Sequence, residues 1–130
     1  MIVVDASAMV EVLLNTQTGG ELRQLLFAPG ETLHVPHLID IEVLQVLRRY
    51  SIAKILAKGR ANEAFEDYSA IPLNRYPHSF LLPRVWDLRH NLTAYDAVYV
   101  ALAEALPATL VTCDRALSAV SGHRAVIQVF

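Results

Sequence analysis

The chain has 130 residues, 11 basic and 13 acidic, for a formal net charge of −2, so no overall charge marks it as a nucleic-acid binder. Hydrophobic residues make up 54% and mean hydropathy is +0.34, yet no apolar run approaches the ~20 residues of a membrane span. A single cysteine, Cys113, excludes an internal disulfide framework and any zinc site built on several thiolates.

The length predicts one domain over 1–130. Asp5 interrupts the start of the chain and no basic stretch precedes it, which is unlike a signal peptide. The expectation is a soluble, cytoplasmic protein with apolar surface to bury against another chain.

Ile2, Val3 and Val4 are β-branched and apolar without polar alternation. Such a run predicts a strand covered on both faces, as in a parallel sheet. Asp5 falls where the strand should end. A helix over Ser7 to Leu14 follows at once. Gln17 to Gly20 reads as a polar break, and Glu21 to Phe27 as a second short helix. After the Pro29-Gly30 turn, Thr32 to Val35 reads as a second strand.

Leu38 to Tyr50 is strongly helical, with a stripe of Leu38, Ile41, Leu44, Val46 and Leu47. The pattern continues through Ile52, Ile55 and Leu56 to Gly59, a plausible stop. Glu42 lies beside the stripe near the helix start. Its bland alternative is a rim carboxylate paired with Arg48 or Arg49. These arginines, with Lys54, Lys58 and Arg60, form a basic run that suits a solvated face or an RNA-binding surface equally well.

Asn62 to Tyr68 predicts another helix. Ile71-Pro72-Leu73 opens a third strand, placed at an edge because proline cannot donate to an interior ladder. Val85, Trp86, Leu88 and Arg89 follow helically, with Trp86 expected as a core anchor. Thr93 caps the next helix, and Asp96 sits three residues on. Ala94 to Ala103 is apolar nearly all round, so this helix is expected to be buried, with Asp96 held close to the core. Thr109 to Thr112 predicts a fourth strand, ended by Cys113-Asp114. Arg115 to Val120 predicts a short helix and Ala125 to Val129 a last strand.

Strands alternating with helices give an α/β fold: a central parallel sheet of about five strands with helices on both faces. Asp5 and Asp114 then end strands, while Glu42 and Asp96 lie in first turns of helices rising from the same edge. Each acid alone reads as a cap or a rim charge. Four that meet on one rim call for a hard cation, and Mg²⁺, or Mn²⁺ with similar preferences, takes oxygen ligands. The five histidines, His34, His37, His78, His90 and His123, show no metal spacing and are expected at the surface or in packing. A cation among carboxylates activates water and clamps phosphate, the chemistry of a phosphodiesterase. Neither GxxxxGK[ST] nor GxGxxG is present.

The segments MIVVDASAMVEVLL, PHLIDIEVLQVLRR, LTAYDAVYVALAE and LVTCDRAL, in this order, resemble the PIN-domain ribonucleases, and more closely the VapC-type toxins of bacterial toxin–antitoxin pairs. The resemblance covers nearly the whole chain. It implies catalytic acids at Asp5, Glu42, Asp96 and Asp114. Asp5, Asp96 and Asp114 would bind the metal, and Glu42 would position or deprotonate water. Ser7 and Thr112 match hydroxyls that stand behind such acids. Asp40 matches no acid of the pattern, and Arg115 to Ser121 contain no further one. The resemblance also implies a type II toxin that uses Mg²⁺ or Mn²⁺. It would cut single-stranded or loop RNA, such as tRNA or rRNA, leaving a 5′-phosphate and a 3′-hydroxyl. Such toxins are usually homodimers silenced by a VapB-type antitoxin whose tail covers the acidic site. The alternative is a non-catalytic PIN-like module that binds protein or RNA.

Overall fold

A computed structural model describes residues 1–130. Five parallel strands form one sheet in the order β3-β2-β1-β4-β5. They are β1 (Ile2–Val4), β2 (Leu33–Pro36), β3 (Leu73–Tyr76), β4 (Thr109–Thr112) and β5 (Val126–Val129). The β-branched run of β1 is central and wholly buried, as its lack of alternation predicts. Strand β3 is at the edge as expected, but it begins at Leu73, after Pro72, so the proline removes no donor from the strand itself.

Helices α1 (Ala6–Leu13) and α2 (Gln17–Leu26) connect β1 to β2. Helices α3 (Leu38–Ile52) and α4 (Lys58–Ala70) connect β2 to β3, moving the same way across the sheet. After β3 come a 3-10 turn (Ser79–Leu81), α5 (Leu82–Asp87) and α6 (Ala94–Ala105), and the chain returns past β1 to β4. Right-handed crossovers therefore put α5 and α6 on the face opposite α1 to α4. The short α7 (Arg115–Ser118) joins β4 to β5. The direction of winding reverses between β1 and β4. In open α/β sheets, the crevice beyond the carboxyl ends at such a reversal is the usual ligand site.

A single cluster of 31 buried apolar residues runs through both helix layers and the sheet. In α6 every residue from Ala97 to Ala103 is buried, as its all-round apolarity predicts.

Three local expectations are corrected. Gln17 to Gly20 is not a break but the first turn of α2. The Thr16 hydroxyl caps it by accepting from the Gly19 N–H, and Gly19 is there because α1 passes close by. Gly59 does not stop a helix: α3 ends at Ile52, Lys54 takes a left-handed φ of 55°, and Gly59 lies in the first turn of α4. Trp86 is not a core anchor. It is 67% exposed, with the Arg89 guanidinium 4.7 Å over its ring, while Leu81, Leu88 and Leu92 supply the core contacts of that segment.

Candidate active site at the β1–β4 crevice

Asp5 directly follows β1 and is only 7% exposed. Its backbone N–H still pairs with the Val111 carbonyl of β4 (3.1 Å), so the strand geometry aims it into the crevice. It also caps α1. Oδ1 accepts from the Ala8 N–H (2.9 Å) and the Ser7 hydroxyl (2.7 Å), and Oδ2 accepts from the Thr112 hydroxyl (2.5 Å). The cap explanation is thus correct for Asp5, but it leaves room on Oδ2 for one more partner.

Ser7 and Thr112 hold the crevice together as well as holding Asp5. The Cys113 N–H donates to Ser7 Oγ (2.9 Å), and the Asp114 N–H donates to Thr112 Oγ1 (2.9 Å). The start of α1 is thereby tied to the turn after β4. Asp114 caps α7 by accepting from the Ala116 N–H on Oδ1 (2.9 Å), so its Oδ2 has no partner within the protein.

Asp96 sits in the first turn of α6. Thr93 caps this helix by accepting from the Asp96 N–H (3.2 Å). The reciprocal half of a capping box is absent: the Asp96 carboxylate makes no hydrogen bond back to the Thr93 N–H. Glu42, in the second turn of α3, accepts a short hydrogen bond from the Tyr99 hydroxyl on Oε2. No ion pair joins it to Arg48 or Arg49, so the rim-pair alternative does not hold.

Burial raises the Asp5 pKa above the ordinary carboxylate value against its three hydrogen bonds, and the Asp96 charge raises it further. Glu42 is raised by burial, opposed by Tyr99, and raised again by the charges of Asp5 and Asp96. Asp96 is raised by burial, opposed by Thr93, and raised by Asp114. Burial, and then Glu42, push the Tyr99 hydroxyl far up, so it remains a donor at every working pH. The four acids from four chain regions therefore share one electrostatic neighbourhood. Tyr99 is the partner that sequence reasoning missed. Its signal was a phenol in a buried apolar helix, which needs a hydrogen-bond acceptor.

Asp40 stands apart. Arg75 Nε donates to both of its carboxylate oxygens (3.0 and 3.1 Å) and Tyr68 to one. Burial raises its pKa, but these bonds outweigh that and hold it below the usual value. Three of the histidines have partners of their own. His34 is buried in β2 between Thr32 and Tyr76, and His37 stacks edge-on with His78.

The acids are not drawn into a closed shell: no three histidine, cysteine or acidic side chains stand together as a ready-made metal cluster. The donor chemistry nevertheless fits a hard divalent cation. All donors are oxygen, and Asp5, Glu42, Asp96 and Asp114 each keep free acceptor capacity. Mg²⁺ characteristically retains several waters and uses few carboxylates, so an open set suits it.

The chain is similar to known proteins over nearly its whole length. The PIN domain family model matches residues 2–123. VapC ribonuclease Mb0985 of Mycobacterium bovis is 48% identical over 118 residues, covering 91% of this chain and 89% of that protein. Ribonuclease VapC12 of Mycobacterium tuberculosis is 36% identical over 129 residues, covering 99% and 98%. The fold matches VapBC2 of Rickettsia felis, solved bound to a DNA fragment from its promoter, with a TM-score of 0.73, 14% identity and coverage of 99% and 98%.

Proposed function

The chain belongs to the PIN-domain family and, within it, to the VapC ribonucleases, and from that premise we propose that its acidic crevice cleaves RNA with the aid of a divalent cation. It is an endoribonuclease toxin of a type II toxin–antitoxin pair. Its target class is single-stranded or loop RNA, tRNA or rRNA, which the cytoplasm supplies. No helix is long and apolar enough to cross a membrane.

Asp5, Asp96 and Asp114 would hold Mg²⁺ or Mn²⁺. Such an ion supplies an acidified water and a clamp on the phosphate oxygens during in-line displacement. Glu42 takes the proton from the attacking water. Tyr99 fixes its carboxylate, and the raised pKa brings Glu42 nearer to the pH at which it must work. The water oxygen bonds to phosphorus as the P–O3′ bond breaks and the departing O3′ takes a proton from solvent, leaving a 5′-phosphate and a 3′-hydroxyl. Ser7 and Thr112 keep Asp5 oriented. The observation that carries this reading is that burial, and then neighbouring acid charge, raises Asp5, Glu42 and Asp96 in the crevice at the sheet's reversal point.

A VapB-type antitoxin and a second copy of the chain complete the assembly. Large apolar side chains left at the surface support both interfaces: Leu82, Trp86 and Tyr95 on α5 and α6, and Ile52, Ile55 and Phe65 around α3 and α4.

Asp5→Asn should keep the fold and lower RNA cleavage at least ~100-fold, since removing one preorganised charge-stabilising group typically costs that much. Circular dichroism and a gel assay on single-stranded RNA check both halves. The alternative is a non-catalytic PIN-like module that binds protein or RNA. That alternative requires the parent protein to bind RNA without cutting it in Mn²⁺.

A further inference from the structure

The largest opening on the molecule adjoins the acidic crevice. It is a groove of about 490 Å³ between α1 and α3. Ser7 and Glu42 belong to both the groove and the crevice, so the two are continuous. Val10 and Val46 line its apolar part. Glu42, Val46 and Arg49 lie at i, i+4 and i+7, along one face of α3. Seven residues of helix separate Glu42 from Arg49 by about 10 Å. That is a step to a neighbouring phosphate, not to another oxygen of the same one.

Arg49 is the only cation lining the groove, and it has no carboxylate partner. The obvious one, Glu42, is taken by Tyr99. The other acid of the groove, Glu11, accepts from the Thr16 hydroxyl. The Arg49 guanidinium rests 5.6 Å over the Tyr50 ring, which restricts it without using its hydrogen bonds. A positioned but unpaired arginine beside an acidic cleavage site fits an anion that arrives with the substrate.

We infer that this groove is a nucleotide subsite, in which Arg49 binds the backbone phosphate next to the scissile one and Val10 and Val46 contact the flanking nucleotide. The inference rests on the RNA-cleaving function above and assigns that site a second, non-catalytic anchor. Arg49 acts on substrate affinity and on the minimum length of a good substrate, not on the chemical step.

The test measures binding and turnover separately. Binding uses the Asp5→Asn chain with a 5′-fluorescein-labelled single-stranded RNA hexamer, read by anisotropy between 50 and 200 mM salt. Adding Arg49→Ala should weaken binding about tenfold at low salt, the worth of a hydrogen bond to a charged group. The salt slope should fall by about 0.7, the value for one phosphate contact on a single strand. Arg49→Lys should restore the slope but only part of the affinity, because a lysine lacks the planar fork. Arg48→Ala, on the neighbouring and unlined face, should change neither.

In the turnover arm, Arg49→Ala alone should raise KM on the hexamer about tenfold with kcat kept, and should leave a dinucleotide unaffected. Unchanged hexamer affinity and salt slope in Arg49→Ala would overturn the subsite. So would equal losses for Arg49→Ala and Arg48→Ala, or a fall in kcat on both substrates alike. A parent protein that cuts no RNA would sink the cleavage function itself, while the binding arm would still decide the role of Arg49.

Discussion

Asp5 is a helix cap and a site acid at once, and the two roles use different lone pairs. Oδ1 is spent on Ala8 and Ser7, while Oδ2 is shared between Thr112 and whatever enters the crevice. Asp114 divides its oxygens in the same way. This is why the acids were legible from sequence by position, and why a cap explanation could never be separated from a site explanation there. Tyr99 was not legible as a partner of Glu42, because the two lie 57 residues apart and meet only where α6 and α3 cross the sheet ends. The bond has a measurable consequence. Tyr99 stabilises the Glu42 carboxylate and lowers its pKa against burial. Tyr99→Phe removes that lowering, so the Glu42 pKa rises. The acid limb of the kcat/KM profile for RNA cleavage should therefore move to higher pH, with the plateau less affected. A profile that stays in place or moves towards acid would remove Glu42 as the proton acceptor.

Elements came through from sequence where one local signal dominated. Unalternating β-branched runs marked β1 and β4, and the Thr93 cap marked α6. They were misread where a glycine or a tryptophan served a tertiary purpose. Gly59 is simply tolerated near a helix start, and Trp86 is displaced from the core by Leu81 and Leu88. Gly19 looked like a turn signal but records a close approach of two helices. A Cβ built there would stand 2.0 Å from the Glu11 carbonyl oxygen and 2.6 Å from its carbon. These are backbone atoms of α1 and cannot swing aside. Gly19→Ala should therefore force α2 away from α1 and cost roughly 1–3 kcal/mol, typical of overpacking. Urea denaturation measures this. The helix that the added Cβ presses on, α1, is the one that Asp5 caps, so cleavage should weaken as well. A change within ~0.5 kcal/mol, as at an unremarkable surface site, would mean that the helices separate freely.

At the scale of the whole molecule, the sheet reversal between β1 and β4 gathers carboxylates whose charged forms burial disfavours. Asp5, Glu42 and Asp96 all have pKa values raised in the folded state. A raised acid binds more protons when folded than when unfolded. Its contribution to stability is full below the unfolded pKa and is lost as pH rises through the folded one. Asp40 and Glu104, held low by Arg75 and Arg84, act in the opposite sense and lose their contribution as pH falls. The difference between two proteins isolates the crevice. In chelator, the Tm of Asp96→Asn should gain on that of the parent as pH rises from about 4 to 7, the range over which these carboxylates ionise. Parallel curves would mean that Asp96 is not under strain.

Carboxylates disfavoured by burial and by neighbouring acid charge make the crevice a place for a cation, and the most direct measurement is RNA cleavage by purified protein stripped with chelator and then titrated with Mn²⁺. The expected result is no cleavage in chelator, full recovery with saturating Mn²⁺, and no recovery in Asp5→Asn under the same titration. Cleavage that persists in chelator at an unchanged rate would contradict a metal-dependent site built on these acids.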